Sequence, residues 1–183
     1  MGRSDQGVEA SAGRYTVLPR VLVFVFNGDD VLLLKGAPHK RIWANRYNGV
    51  GGHVEADEDV YAAARREVRE ETGLHVRDLH LRGVVHVDVA SLTGGATGTA
   101  GIVFFVFTAR SEERQVHPGA DRPSAEGTLE WTPRDRLTRR DMVEDLPILL
   151  DRIAGMSDGA PPFFARYSYD DRDRLRIAFA EPI

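Results

Sequence analysis

Three glutamates near the middle of the chain are spaced so that they could act together as metal ligands. Glu67, Glu70 and Glu71 stand at positions i, i+3 and i+4, and residues at these spacings are neighbours on the surface of a helix. Like charges so placed repel one another by about 0.2–0.5 kcal/mol per pair. The adjacent Arg66 could compensate part of this charge, but Mg²⁺ is better suited because it takes oxygen ligands. The spacing therefore suggests an acidic metal site.

The segment around these glutamates, residues 58–72, is predicted to form a helix. It is rich in Ala, Glu and Arg, and Gly73 is placed to end it. Four apolar residues fall on one stripe that should face the core: Val60, Ala63, Ala64 and Val68. Glu67 and Glu71 lie inside this stripe, and Glu70 lies at its edge. A run of Arg and Glu is more often a solvated face, but burying carboxylates is costly without a compensating charge, so the metal site is favoured.

The stretch from Gly52 to Leu74 resembles the complete signature motif of the Nudix hydrolases. All fixed positions of that motif are filled: Gly52, Glu58, Arg66, Glu67, Val68, Glu70, Glu71, Gly73 and Leu74. The resemblance implies an α/β protein with a Nudix-type α/β/α sandwich, a mixed β-sheet and, at the end of this chain, a C-terminal hairpin. It also implies an enzyme that acts on phosphoric anhydrides with Mg²⁺ or Mn²⁺ as cofactor.

The resemblance further implies a role for each residue of the motif. Glu70 and Glu71 would be the principal metal ligands, and the carbonyl of Gly51 would add another. Glu67 would be either a ligand or the general base, and the sequence does not separate these two roles. Arg66 is expected to be one of the catalytic residues. It would pair with Glu58 and so orient the loop and the helix. Gly52, Glu58 and Gly73 would be structural.

Similarity to one branch of the family extends beyond the motif. Residues 46–49, 126–131 and 163–167 resemble those of the branch that hydrolyses oxidised purine nucleoside triphosphates. This resemblance implies that Asn48 contacts the base, together with Glu144 or Asp145.

Two further positions are expected to reach the phosphates or the metal. Lys35 is either a solvated cation or a contact for substrate phosphates. Glu126 lies five positions before Trp131, a placement similar to the additional metal-binding glutamate of MutT-type members. Glu130 competes with Glu126 for that role. The alternative is that Glu130 lies on a strand and only faces solvent.

The function implied is hydrolysis of a nucleoside diphosphate linked to another group. The favoured substrate is an ordinary or oxidised purine nucleoside triphosphate, cleaved to monophosphate and pyrophosphate. Residues 88–91 lack the proline or tyrosine that marks members acting on ADP-ribose or dinucleoside polyphosphates. Hydrolysis of ADP-ribose or a nucleotide sugar is one alternative, and a non-catalytic nucleotide-sensing module is another.

Composition limits the remaining classes of function. With 183 residues and 42% hydrophobic content, we expect a mobile tail at residues 1–13 and a single domain at 14–183. The net charge of −4 gives no footprint for polymeric nucleic acid. The absence of cysteine excludes disulfides, and no apolar run approaches a membrane span. We expect a cytoplasmic protein that binds a small nucleotide, and a homodimer is left open.

Alternating and continuous apolar runs predict the strands. They are expected at residues 20–26, 31–35, 79–89, 100–108 and 126–131, with a C-terminal hairpin of 163–169 and 175–180. A glycine-rich turn is expected at 94–98, joining two neighbouring strands. A second amphipathic helix is predicted at 142–153.

Overall fold

The computed structural model describes residues 15–89, 100–117 and 127–181 of the chain. Three sequence predictions fall outside these ranges: the N-terminal tail at residues 1–13, the turn at 94–98 and the metal ligand Glu126.

Eight strands in the described residues form one mixed sheet. They are β1 (Thr16–Asn27), β2 (Asp30–Gly36), β3 (Tyr47–Asn48), β4 (Arg77–Val87), β5 (Ala100–Arg110), β6 (Gly127–Pro133), β7 (Phe163–Tyr169) and β8 (Leu175–Phe179). Their order is β3-β2-β1-β5-β4-β7-β8, and β6 pairs with β2. β1 is parallel to β5 and β4 is parallel to β7, whereas the other pairs are antiparallel. The predicted mixed sheet, the pairing of β4 with β5 and the C-terminal hairpin are confirmed.

Two α-helices, α1 (Val60–Thr72) and α2 (Leu146–Ala154), cover opposite faces of the sheet. Successive side chains of a strand point to opposite faces, and the buried residues of β1 follow this alternation. Val23 and Val25 pack with the apolar stripe of α1, while Phe24 packs with the leucines of α2. The predicted α/β/α sandwich is confirmed. Among the described residues, no helix is both long and apolar enough to cross a membrane.

The ends of α1 are fixed by side-chain and backbone capping. Oδ1 of Asp59 accepts hydrogen bonds from the backbone N–H groups of Tyr61 (2.8 Å) and Ala62 (2.9 Å), which is the geometry of an N-cap. Gly73 ends the helix with a left-handed φ of 73°. The helix therefore begins two residues later than predicted, and Glu58 lies just before it.

The predicted start of the second helix at residue 142 is wrong. α2 begins at Leu146, with Pro147 in its first turn. A proline has no N–H to donate to the carbonyl four residues earlier, so the preceding turn cannot be helical. That preceding segment instead flanks β3, because Tyr47 N–H donates to the carbonyl of Asp141 (2.8 Å) and Val143 N–H donates to the carbonyl of Tyr47 (3.0 Å).

The C-terminal hairpin places its aromatic residues on two faces rather than one. Tyr167 is buried against the face that α2 covers, whereas Phe164 is 56% exposed. Phe164 and Tyr167 lie on opposite faces because they are an odd number of positions apart on β7.

Candidate active site at the glutamate-bearing helix

The loop before α1 is held against β1 by backbone hydrogen bonds. Val23 N–H donates to the carbonyl of Val50 (2.7 Å), and Val21 N–H donates to the carbonyl of Gly52 (2.9 Å). Gly51 has a φ of 153°, and a Cβ at this position would lie 2.1 Å from the Val21 carbonyl oxygen. Only glycine can therefore occupy position 51 without displacing the loop from β1.

Gly52 brings the loop into contact with α1. A Cβ at Gly52 would lie 2.4 Å from Oε1 of Glu67, so the missing side chain makes room for a carboxylate. In addition, the Gly51 N–H donates to Oε2 of Glu71 at 3.1 Å. The two glycines thus place the loop backbone directly beside two of the three predicted acidic residues.

The three glutamates differ in exposure as their helical spacing predicts. Glu67 is buried, with 8% of the residue exposed, and Glu71 is half-buried. Glu70 lies at the edge of the stripe, and its side chain is 48% exposed. The three carboxylates therefore lie at three different depths, and those of Glu67 and Glu71 lie beside the loop.

Arg66 connects the loop, the residue before the helix and the helix itself. Its guanidinium donates to both oxygens of Glu58, from Nε at 3.0 Å and from Nη2 at 2.6 Å. Nη1 donates to Glu67 (3.0 Å) and to Glu70 (3.2 Å), and Nη2 also donates to the carbonyl of His53 (3.0 Å). These hydrogen bonds lower the pKa of Glu58 and raise the pKa of Arg66. Arg66 therefore supplies part of the compensating charge for the buried glutamate.

The donor set of this site suits a hard divalent cation. Three carboxylates and the peptide of Gly51 provide the oxygen ligands that Mg²⁺ and Mn²⁺ prefer. Across the described ranges, no three His, Asp or Glu side chains are already gathered at metal-binding positions. The carboxylates of Glu70 and Glu71 are instead held by Arg66 and by the Gly51 N–H. Binding of a metal would require these two side chains to exchange those hydrogen bonds for the ion.

Tyr47 forms the centre of a second polar group, on the side of the sheet away from α1. Its hydroxyl donates to Oε2 of Glu130 at 2.6 Å, and Nη1 of Arg140 donates to the same hydroxyl at 3.0 Å. Arg140 also forms an ion pair with Glu130. The hydrogen bond to Glu130, with burial, raises the pKa of Tyr47. Glu130 is therefore engaged in a half-buried network instead of facing solvent.

Lys35 belongs to this second group. It pairs with Tyr47 across β2 and β3, and its ammonium lies 5.7 Å from the centroid of the Tyr47 ring, a cation–π contact. The structure thus places this predicted phosphate contact beside Tyr47 and Arg140.

Asn48 and Asp145 lie on segments that Tyr47 joins. Oδ1 of Asn48 accepts a hydrogen bond from the Gly49 N–H at 2.8 Å. Asp145 directly precedes α2, and burial raises the pKa of its carboxyl. Glu144, the other predicted base contact, is exposed.

Tyr167 is a neighbour of Asp145 that was not among the predicted site residues. The two residues are far apart in the chain, and only the alternation of β7 indicates that Tyr167 faces inwards. Burial, followed by the Asp145 charge, raises the pKa of Tyr167. The Tyr167 hydroxyl is buried without a well-aligned hydrogen bond among the described residues, so its contact with Asp145 is chiefly electrostatic.

Arg20 is a second residue near the site that was not among the predicted site residues. It is bridged to His53 across β1 and the glycine loop, and its Nε is buried without a hydrogen-bond partner in the described part of the chain. A buried donor without a partner is costly, which makes Arg20 a candidate contact for an anion near the loop. Its position at the start of a predicted strand gave no signal of this.

Comparisons with known proteins agree with this architecture. Oxidized purine nucleoside triphosphate hydrolase of Mus musculus is 27% identical over 165 residues, covering 84% of this chain and 88% of that protein. The protein of the same name from Danio rerio is 44% identical over 62 residues, which cover 34% of this chain and 38% of that protein.

Solved structures show the same fold at low sequence identity. The mutator MutT protein of Bacillus halodurans superposes with a TM-score of 0.70 at 22% identity, covering 90% of this chain and 99% of that chain. The NUDIX domain of Shewanella oneidensis NrtR, which is in complex with ADP ribose, gives a TM-score of 0.59 at 13% identity over 84% of this chain and 97% of that chain. The model of the NUDIX domain family matches residues 16–153, more than half of the chain. The chain therefore belongs to the Nudix family and is a Nudix hydrolase.

Proposed function

We propose that this protein hydrolyses a purine nucleoside triphosphate, ordinary or oxidised, to the monophosphate and pyrophosphate. The observation that carries the proposal is that Glu67 and Glu71 of α1 lie against the Gly51–Gly52 backbone, next to β1, while Arg66 links Glu67 to Glu70. The mouse relative, similar over most of its length, supports the substrate class. The substrate is a small nucleotide, and we place the enzyme in the cytoplasm.

Nudix hydrolases generally use divalent metals, and we propose Mg²⁺ or Mn²⁺ held by Glu67, Glu70, Glu71 and the Gly51 carbonyl. When bound, such an ion neutralises phosphate charge and lowers the pKa of coordinated water. Glu126, which lies outside the described residues, is proposed as an additional ligand.

The remaining catalytic work falls to residues of the chain. Water attacks the α- or β-phosphorus, a new P–O bond forms there, and the bond from that phosphorus to the oxygen bridging the two breaks, which gives the monophosphate and pyrophosphate. We assign Glu67 to accept the proton of that water or to act as a ligand. Arg66 holds Glu67 in place and ties α1 to the loop at His53.

Substrate selection is assigned to the region around Tyr47. Asn48 would contact the nucleotide base through its carboxamide. Asp145, which has Glu144 beside it, would contact the base through its carboxyl. Burial raises the pKa of Asp145 and so favours its protonated form relative to an exposed aspartate; a protonated carboxyl donates a hydrogen bond as well as accepting one. Lys35 and Arg20 are proposed to contact the phosphates.

The proposal is tested with purified protein, a divalent metal and a panel of ordinary and oxidised nucleoside triphosphates, ADP-ribose and nucleotide sugars. We expect a purine triphosphate to be cleaved to a monophosphate and pyrophosphate. The kcat/KM for this reaction should be higher than the kcat/KM for cleavage of the other compounds. If ADP-ribose were cleaved preferentially, it would replace the purine triphosphate as the proposed substrate. Binding of nucleotides without cleavage would favour a sensing module and overturn the proposed reaction.

The role of the glutamates is tested by substitution with an isosteric neutral residue. Glu70→Gln should lower kcat by at least about a hundredfold, as expected when electrostatic stabilisation of the transition state is lost. Glu113→Gln, at an exposed position on the loop after β5, is the matched control and should retain activity. Normal turnover by Glu70→Gln would show that Glu70 has no part in the reaction.

A further inference from the structure

A cavity of about 640 Å³ lies at the end of α2 opposite to Asp145. Its walls come from the end of β1, the start of β4, the end of β5 and the last turn of α2. Because α2 has nine residues, its two ends are separated by about 13 Å. The residues that line this cavity include none of those assigned above to the metal, the phosphates or the base. An adjoining cavity of about 240 Å³ shares Phe26, Gly28, Arg77 and Arg110 with it.

The walls of this cavity carry an excess of positive charge. Two carboxylates, Asp78 and Asp158, and one histidine, His80, line it together with four arginines: Arg77, Arg82, Arg110 and Arg134. The whole chain, in contrast, has a net charge of −4. A concentration of one charge sign in a concave surface attracts ions of the opposite sign.

Two of these arginines have no carboxylate partner among the residues that the structure describes. Arg77 forms an ion pair with Glu112 at 2.7 Å. Within the described ranges, no carboxylate lies at ion-pair distance from Arg110 or Arg134, and the guanidinium of Arg134 lies 4.7 Å from the centroid of the Phe26 ring. Both guanidinium groups are therefore available to an anion that enters the cavity.

Arg82 provides a fixed cation in the cavity wall. Its side chain is only 11% exposed, its Nε donates to Oγ1 of Thr108 at 3.0 Å, and its Nη1 donates to the carbonyl of Ser157 at 3.2 Å. Its nearest carboxylate, on Asp158, is 3.5 Å away and 91% exposed, so that pair compensates the buried charge only weakly. A buried guanidinium held by neutral acceptors is well placed to bind a phosphate.

Apolar residues form another part of the lining. Phe26, Ile153, Ala154 and Met156 form part of the same wall, and the volume lies within the range of about 300–1,000 Å³ found for small-molecule sites. We propose that this cavity binds a nucleoside monophosphate, with its phosphate at Arg82, Arg110 and Arg134 and its base against the apolar residues. The site is separate from the catalytic one and binds without a metal ion.

The test is a titration of the ¹⁵N-labelled full-length chain with AMP and with GMP in the presence of EDTA, followed by ¹H–¹⁵N NMR. The backbone amides of Thr108 and Ala109, which line the cavity, should shift saturably with at least one of the two nucleotides. In the double variant Arg110→Gln/Arg134→Gln, the apparent affinity read from these amides should fall by about tenfold or more.

The matched control is Arg65→Gln/Arg172→Gln, which removes the same charge at two exposed positions away from the cavity. It should bind within about twofold of the wild type, since long-range surface charge is screened by salt. Arg110 and Arg134 are also exposed, so their replacement should leave the fold, checked by the rest of the spectrum, intact. The proposal is overturned if Thr108 and Ala109 do not move at millimolar nucleotide, or if both double variants bind equally. Because binding is measured instead of turnover, this result is independent of the proposed reaction.

Discussion

The two ends of the proposed active site are assembled in different ways. At the glutamate end, one continuous stretch from Gly51 to Gly73 supplies the loop, the capped helix and every charged contact of Arg66. At the end proposed to bind the nucleotide base, called the base end, three distant segments supply Asn48, Asp145 and Tyr167. The backbone of Tyr47 links the first two of these segments. Chemistry can therefore be encoded locally, whereas substrate choice depends on packing across the sheet. Substitutions at the first end should lower kcat, and those at the second should change selectivity.

The largest effect is expected from Gly52→Ala at the glutamate end. The added Cβ would lie 2.4 Å from the Glu67 carboxylate, so either the loop or Glu67 must move. We expect kcat to fall by about a hundredfold or more, since small misplacements of reacting groups cost about this much. Gly155→Ala is the control, because a Cβ there meets nothing closer than 3.6 Å. Full activity of Gly52→Ala would mean that the contact between loop and helix is dispensable.

A smaller effect is expected from Arg66→Ala, which separates the loop from α1. Loss of the paired hydrogen bonds to Glu58 should lower the free energy of unfolding by about 1–3 kcal/mol, and kcat should fall by about tenfold or more. Arg65→Ala, on the exposed side of the same helix, should change neither. Chemical denaturation measures the free energy of unfolding, and steady-state kinetics measure kcat. If Arg66→Ala were as stable and active as the wild type, Arg66 would have neither proposed role.

At the base end, Asp145→Asn should change selectivity more than rate. We expect KM for the preferred purine triphosphate to rise by about tenfold, because one hydrogen bond to the base is worth about that much, while kcat changes little. An equal loss of kcat for all nucleotides would place Asp145 in the chemical step.

The same substitution should have a pH-dependent effect on stability. Burial raises the pKa of Asp145 in the folded state, so the folded state binds this proton more tightly than the unfolded state does. The ionised carboxyl therefore lowers stability increasingly as pH rises from its ordinary pKa through the raised one. Asp145→Asn should be more stable than the wild type at neutral pH, and the difference should shrink below about pH 4. Thermal unfolding across this range would contradict the assignment if the difference grew in acid.

The smallest effect is expected from Tyr167→Phe. The Tyr167 hydroxyl has no well-aligned partner among the described residues, so its removal should change the free energy of unfolding by less than about 1 kcal/mol. Destabilisation well beyond this value would show that Tyr167 and Asp145 form a strong hydrogen bond.

The sequence predicted the elements of this fold better than the contacts between them. The helix, its glycine end and the exposure of its glutamates follow from local spacing, as does the C-terminal hairpin. The start of α2 was placed wrongly because the apolar period begins before Pro147, although the missing N–H of this proline prevents the helix from extending into the preceding turn. The engagement of Glu130 with Tyr47 and Arg140 depends on how β2, β3 and β6 pair, which spacing along the chain does not contain.

The proposed metal-dependent cleavage is tested most directly by following pyrophosphate release from a purine triphosphate while Mg²⁺ is titrated into metal-free protein. The account predicts no release in EDTA, a saturable rise with Mg²⁺ for the wild type, and a rate at least about a hundredfold lower for Glu70→Gln at every Mg²⁺ concentration. Hydrolysis that proceeds equally well in EDTA, or a Glu70→Gln enzyme with the wild-type metal response, would contradict it.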